Sequence, residues 1–557
     1  MKKQHARLLA SLLAATTILS ACGGTATPAS PSASSESAVA STSASASASS
    51  EASAPADERK MEGNLYVEGF PVVKEPETFT FLVDDGGQPA DKYLVPKIEE
   101  ATNVKVEWLV FPYEIAKEKK NIMINSGDYP DVIGGWLLSE NEILNYGPGD
   151  GLFVPIEDAI AKYSPNMTAA LDMPSVRQTM TLPDGHIYTI PYVLPTPKVA
   201  FNPYINKAWM QKLGLSMPTN TDELIAVLKA FRDKDPNGNG QKDEIAWSGD
   251  NHNGYLGLFA GWWGTPVPKG NFTYLNGKFE FTANTEAFKQ AIKFFAQLNK
   301  EGLLDPEFFT QNSDQWKAKG KKDLYGACVG YGHGDWAPDG YQIIKGTELY
   351  DPLPVLKGAG ATADPKWYAN SAGTYIFKTQ VAITDKAKNV NTIVRWFDYA
   401  LSEEFSVARD NGWLDVTYKK VADNTYERLD TTSWNEADKK KVEWGNLFFQ
   451  SLPKFIPFNT KFLPAPGSPE EYKEKDLVDQ MYGPSLIEPD PQVWANEADA
   501  KRVSVLQTDL DKYVDDKIAT WVSGQADIDA EWDAYLAQLE KLGMQELTTL
   551  KNKPLGK

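Results

Sequence analysis

The chain has 557 residues and a formal net charge of −19, with 75 Asp and Glu against 56 Lys and Arg. So acidic a protein is poorly suited to nucleic acid or anionic lipid as partners. Its length exceeds what one hydrophobic core serves and suits two or three.

At the N-terminus, MKKQHAR is a positive start and LLASLLAATTIL an apolar run, together too short for a membrane span. Leu19-Ser20-Ala21-Cys22 follows, and it resembles a bacterial lipobox, in which the cysteine is acylated and becomes the first mature residue. Residues 1–22 therefore read as a lipoprotein signal peptide with Cys22 as the lipidation site. Residues 23–61 begin as almost pure Ser, Ala, Pro, Thr and Glu, which cannot bury a core and predict a disordered tether. Flexible-coil scaling gives it roughly 30–35 Å of reach. No later stretch is long and apolar enough to cross a bilayer. The expectation is an exported, monomeric protein, lipid-anchored on the extracellular face of the cell membrane.

ETFTFLVDD (77–85) reads as a buried strand, KYLVPKIEEATN (92–103) as a helix, and VKVEWLVF (104–111) as an alternating strand. EIAKEKKNIMINSGDYPDVIGGW adds a helix, a turn at Ser126-Gly127-Asp128 and a short strand ending in glycines. This order predicts a parallel α/β sheet, whose ligands gather beyond the carboxyl ends of the strands. Asp84 and Trp136 fall at those ends. GHIYTIPYVLPTPKVAFNPYINKAWMQKLGL then runs strand, extended segment, strand, helix, with Tyr192 in its first half.

TDELIAVLKAFRDK (221–234) is an amphipathic helix leading into DPNGNGQKDE. Ca²⁺ takes oxygen ligands from a tightly turning loop at positions 1, 3, 5, 7, 9 and 12. From Asp235, those positions hold Asp235, Asn237, Asn239, Gln241 (through its carbonyl) and Asp243, with Gly240 at the turn. Position twelve is Ala246, and Glu244 replaces the missing glutamate. No matching helix follows, so the loop is expected to be a structural Ca²⁺ clip rather than a sensor.

Sugars offer apolar C–H faces and hydroxyl rims, so a sugar site needs aromatic faces with polar edges. GLFAGWWGTPVP (257–268) places Trp262 and Trp263 between glycines, and GYGHGDWAPDG (330–340) sets Asp335 and Trp336 together at a predicted strand end. Those four are expected in the second half of a binding cleft, opposite Trp136, with Trp413, Tyr192 and Asp84 as further candidates. Trp209, Trp396, Trp521 and Trp532 sit on helical stripes and are expected in the core. So is Cys328, the only cysteine besides Cys22. His186, His252 and His333 lack metal-ligand spacing, and no Gly-x-Ser-x-Gly elbow or P-loop is present. A secreted glycoside hydrolase, needing only two carboxylates, remains the alternative enzyme reading. A calcium-dependent adhesion module is disfavoured by the single cation loop and the lack of repeats.

Several segments in one order, SGDYPDV (126–132), DGHIYTIPY (184–192), YINKAWMQKLGLSMPTNTDEL (204–224), DPNGNGQKDEI (235–245), VAITDKAKNVNTIVRWFDYALSEE (381–404) and WDAYLAQLEKLG (532–543), carry a family resemblance. The chain resembles the extracellular solute-binding proteins of carbohydrate ABC importers, in their large calcium-containing branch. The resemblance implies a two-lobed α/β fold of the type II-like periplasmic-binding-protein kind, with an oligosaccharide in the interlobe cleft and delivery to permease subunits. It implies no enzymatic activity and a Ca²⁺ site remote from the cleft. It places crossings near Pro195–Val199 and Thr374–Phe377, with a first lobe of 62–198 and 375–435 and a second of 199–374 and 436–557.

Overall fold

The structure, a computed structural model, describes residues 59–249, 253–340, 344–456, 460–468 and 473–556. The described residues from Arg59 onward form one compact unit. Cys22, most of the tether and His252 lie outside the described residues.

The first lobe opens with β1 (Glu77–Asp84), helix α1 (Val95–Thr102), β2 (Val104–Phe111), helix α2 (Tyr113–Ser126) and β3 (Val132–Gly134). β1 pairs in parallel with β2 and with β3, as the strand–helix–strand order requires. In β2, Val104 and Val106 face the core while Lys105 and Glu107 are exposed. Gly127, at φ +77°, ends α2 in the left-handed conformation, where the expected turn lies.

The chain then crosses on β4 (Tyr192–Pro195) into the second lobe. There β5 (Asn202–Asn206), β6 (Ile245–Gly249), β7 (Tyr325–Gly330) and β8 (Tyr350–Pro352) form a four-stranded sheet in the order β8-β5-β7-β6. Helix α3 (Thr221–Asp233) is capped by the Asn220 side chain and buries Leu224, Leu228 and Phe231. Helix α4 (Glu286–Lys300) buries Phe288, Ile292, Phe295 and Leu298. Removing such a side chain from water contributes about 1.5–3 kcal/mol. Trp209, Trp521, Trp532 and Cys328 lie in the second-lobe interior and Trp396 in the first.

β9 (Thr374–Phe377) returns antiparallel to β4, and β10 (Val381–Ile383) completes the first sheet against β3. β4 ends at Pro195, where the first crossing is expected, and β9 spans the second at 374–377; the two pair as one antiparallel ribbon. Leu447, Phe448, Phe449 and Leu452 pack into the first-lobe core with Trp396 and Phe405. Lys461–Leu463 extends a three-stranded sheet begun by Tyr418–Ala422 and Thr425–Arg428. The second lobe resumes with helix α5 (Glu474–Tyr482), whose Val478 and Tyr482 join its core. Trp494 and Ala500 then pack against Ile143, Leu144 and Tyr188 of the first lobe. Helix α6 (Glu497–Val522) starts there and carries Leu506, Leu510 and Val514 into the second-lobe core. Composition cannot mark these late passages, because apolar residues serve either core equally.

Candidate functional site

β1 and β3 pair in parallel and end side by side, bringing Asp84 next to the turn that follows β3. Gly135, at φ +92°, follows β3, and a Cβ there would lie 1.8 Å from Asp84 Oδ1. That turn lets the Trp136 N–H donate to Asp84 Oδ1 at 2.8 Å. Ser451 donates to the Asp84 carbonyl at 3.0 Å. Burial raises the Asp84 carboxyl above the usual range, against the opposing pull of the Trp136 N–H. Trp136 is 45% exposed. Its ring meets Phe377 edge-on at 4.9 Å, Phe377 stacks on Tyr192 at 4.7 Å, and Tyr375 lies 4.0 Å from Phe377. Tyr192 is buried, which pushes its hydroxyl up to about 12. Of the sequence candidates, the structure thus brings Asp84, Trp136 and Tyr192 together at the interlobe ribbon.

A second group of rings lies where the chain enters the second lobe. Phe201 stacks on Tyr255 at 4.1 Å and meets Tyr331 edge-on at 6.1 Å. Tyr331, just after β7, is 42% exposed. Phe201, Tyr255, Trp367, Tyr368 and Asn370 line a cavity of about 240 Å³, the scale of one sugar ring rather than of a drug-sized ligand. Asp335 is half-buried nearby, and its charge acts on Tyr331 and Lys475. Sequence reasoning missed Phe201, Tyr255, Tyr331, Tyr375 and Phe377. Position beside the two crossing segments, in KVAFNPY and TYIF, was the usable signal for Phe201, Tyr375 and Phe377.

Four expected aromatics lie elsewhere. Trp336 is fully buried, enclosed by Tyr350 at 4.5 Å, Tyr325 at 5.8 Å and Trp316 at 6.2 Å. The 3-10 turn His333–Asp335 reverses the chain after β7 and carries this ring under the sheet instead of out from its end. Trp262 is equally buried, between Phe259 and Phe294. Trp263 is only partly buried, with its N–H donated to the Ala359 carbonyl at 3.0 Å. It borders a separate groove with Ile225, Phe294 and Gln525. Trp413 packs on the first-lobe core, with the Lys97 ammonium 4.8 Å over its ring.

The acidic loop is a network of its own. Asp235, at φ +46°, accepts the N–H groups of Gly238 at 2.9 Å and Gly240 at 3.2 Å. The side-chain amides of Asn237 and Asn239 donate to Asp243. Among the described residues no three His, Cys, Asp or Glu side chains converge as metal ligands. Yet Glu244 carries a buried Oε1 without a hydrogen-bond partner. Burial first, then the charges of Asp235 and Asp243, raise its carboxyl. Crowded carboxylates and an orphaned buried oxygen fit a hard cation, which would relieve both.

The described histidines show no hydrolytic arrangement. His186 pairs with Glu157 at the surface, and His333 is buried between Glu474 and Asp339.

A family model for the bacterial extracellular solute-binding protein matches residues 84–405. The fructooligosaccharide ABC transporter substrate-binding protein FusA of Streptococcus pneumoniae is 31% identical over 90% of this chain and 93% of its own. The lipoprotein LipO of Bacillus subtilis is 27% identical over 63% of this chain and 68% of its own. Among solved structures, FusA in complex with kestose superposes with a TM-score of 0.73 at 29% identity, covering 86% of this chain and 99% of that one. An EF-hand mutant of FusA with fructo-nystose matches equally well. The chain belongs to the bacterial extracellular solute-binding protein family, and it is a binding protein of the ABC-importer kind, not a hydrolase.

Proposed function

We propose that this protein captures a fructooligosaccharide between Trp136 and Asp84 on the first lobe and Phe201, Tyr255 and Tyr331 on the second. The observation that supports this reading is two groups of rings next to the segments that join the lobes, Trp136 with Phe377 and Tyr192, and Phe201 with Tyr255 and Tyr331, with Asp84 and Asp335 as polar neighbours. Aromatic faces take the C–H surfaces of the sugar, and the carboxylates accept from its hydroxyls. Ligand contacts with both walls favour the closed arrangement of the lobes over the open one, which a permease can then recognise. FusA, which its name describes as a fructooligosaccharide-binding protein, motivates the sugar class. A thermal-shift panel of fructose, glucose, xylose, mannose, N-acetylglucosamine and uronate oligosaccharides tests it. Kestose should raise the melting temperature, with no bond cleavage by the purified protein. Stabilisation by uronates alone would overturn the class.

Cys22 is the proposed lipid attachment, supported by the lipobox pattern and by similarity to the lipoprotein LipO. Cys22→Ser should release the protein from membranes or stop its processing. The acidic loop is proposed to hold one structural Ca²⁺ through Asp235, Asn237, Asn239, Asp243, Glu244 and the Gln241 carbonyl. Ca²⁺ would neutralise the loop's carboxylates and bind the folded state alone, adding about 2.7 kcal/mol at a hundredfold excess over Kd. Chelation and Asp235→Ala should each lower the melting temperature, with sugar affinity little changed. Identical melting with and without chelator would remove the ion.

A further inference from the structure

The crossing segment between the lobes carries backbone groups that neither lobe's sheet uses, and helix α5 takes them up. Asp479 Oδ2 accepts the Lys198 N–H at 2.9 Å and Oδ1 accepts the Val199 N–H at 3.1 Å. One turn earlier on the same face, Lys475 Nζ donates to the Ala200 carbonyl at 3.1 Å and to the Tyr204 hydroxyl at 3.3 Å. The same ammonium lies 4.5 Å from the centre of the Tyr331 ring. From the other side, the Asn370 N–H donates to the Lys198 carbonyl at 2.7 Å. Phe201 directly follows Ala200, and its ring stacks on Tyr255.

We propose that Lys475 and Asp479 are positioning residues for the ligand: from behind the cleft they fix Phe201 and Tyr331, two of its aromatic walls. Both bonds of Asp479 are charge-assisted and join a helix to a hinge, so they hold the segment more tightly than neutral pairs would. Neither residue need touch the sugar. The inference rests on the reading of this cleft as an oligosaccharide site.

The arrangement has a pH signature. Lys475 faces Glu474 and Asp479 of α5, Asp335 of the turn after β7, the Tyr331 ring, and Tyr204 of β5. Burial lowers its ammonium to about 8, although Glu474, Asp479 and Asp335 pull the other way. Its charge is therefore present at pH 7 and lost by pH 9. His333, behind Glu474, is held at about 9: burial lowers it, but hydrogen bonds to Asp339 and Glu474 outweigh that. His333 is common to wild type and a Lys475 variant, so their difference reports Lys475.

Two measurements test this on the purified protein. Hydrogen exchange without ligand should show the Lys198 and Val199 amides of Asp479→Asn exchanging about tenfold faster, equivalent to about 1.4 kcal/mol, while first-lobe core peptides stay unchanged. In kestose titrations, wild-type affinity should fall about tenfold from pH 7 to pH 9, as expected for loss of one required proton near pH 8. Lys475→Met should bind more weakly at pH 7 and show a flatter profile. Unchanged exchange in Asp479→Asn overturns the clamp, and superimposable wild-type and Lys475→Met profiles overturn the role of the cation. If wild type ignores kestose, the sugar assignment falls, and the exchange measurement still decides the clamp.

Discussion

Gly135-Trp136 after β3 and Asp335-Trp336 after β7 look alike as sequence: a tryptophan beside glycine or aspartate at the end of a sheet strand. Trp136 is 45% exposed at the ribbon between the lobes, whereas Trp336 is fully buried in its own aromatic cluster. The turn makes the difference. Gly135 takes φ +92° and lets the chain continue outward while Asp84 accepts the Trp136 N–H. After β7, the Trp336 N–H instead bonds back to the His333 carbonyl at 3.1 Å, curling the ring beneath β5 and β8. An aromatic at a strand end is a binding surface only if the next turn points it away from its own sheet.

The largest effect should come from Trp336→Ala. Emptying so large a buried volume should cost about 3–5 kcal/mol of stability, measured by denaturant unfolding, with near-normal sugar affinity in whatever folds. Normal stability with lost binding would invert the comparison.

Trp136→Ala should do the reverse. Truncating an aromatic anchor typically costs about 2 kcal/mol of binding, or roughly thirtyfold in Kd at ~1.4 kcal/mol per tenfold. Melting without ligand should move less than in Trp336→Ala. Calorimetric titration with the sugar selected by the panel checks it, and unchanged affinity removes Trp136 from the wall.

The smallest effect is expected from Asp84→Asn. The folded carboxyl sits above its ordinary value because of burial, so the protonated form is the one folding favours. Its contribution to stability is complete below the ordinary carboxylate range and lost as pH rises through the folded value. Asparagine keeps the acceptor for the Trp136 N–H and cannot titrate. Unfolding free energy across the acidic range should therefore lose part of its pH dependence, and an unchanged profile would contradict the buried-carboxylate reading.

Local signals were legible wherever chemistry depends on neighbours in the chain. The period-2 alternation in VKVEWLVF, the amphipathic stripe of TDELIAVLKAF, the turn after α2 and the strand–helix order of the first lobe all became the elements they imply. The Asp/Asn/Gly spacing of 235–244 folded into a carboxylate-rich loop for the same reason, since its oxygens lie within one turn of backbone. Tertiary structure alone decided which tryptophans stay exposed, because a ring's exposure depends on what lies across from it: Trp262 and Trp336 are enclosed by other rings, and Trp136 keeps 45% of its surface. It also decided that Leu447, Phe448, Phe449 and Leu452 pack with Trp396 and that α5, far along the chain, grips the crossing segment at 198–200. The α5 contacts join residues more than two hundred positions apart, and no local pattern encodes a partner at that distance.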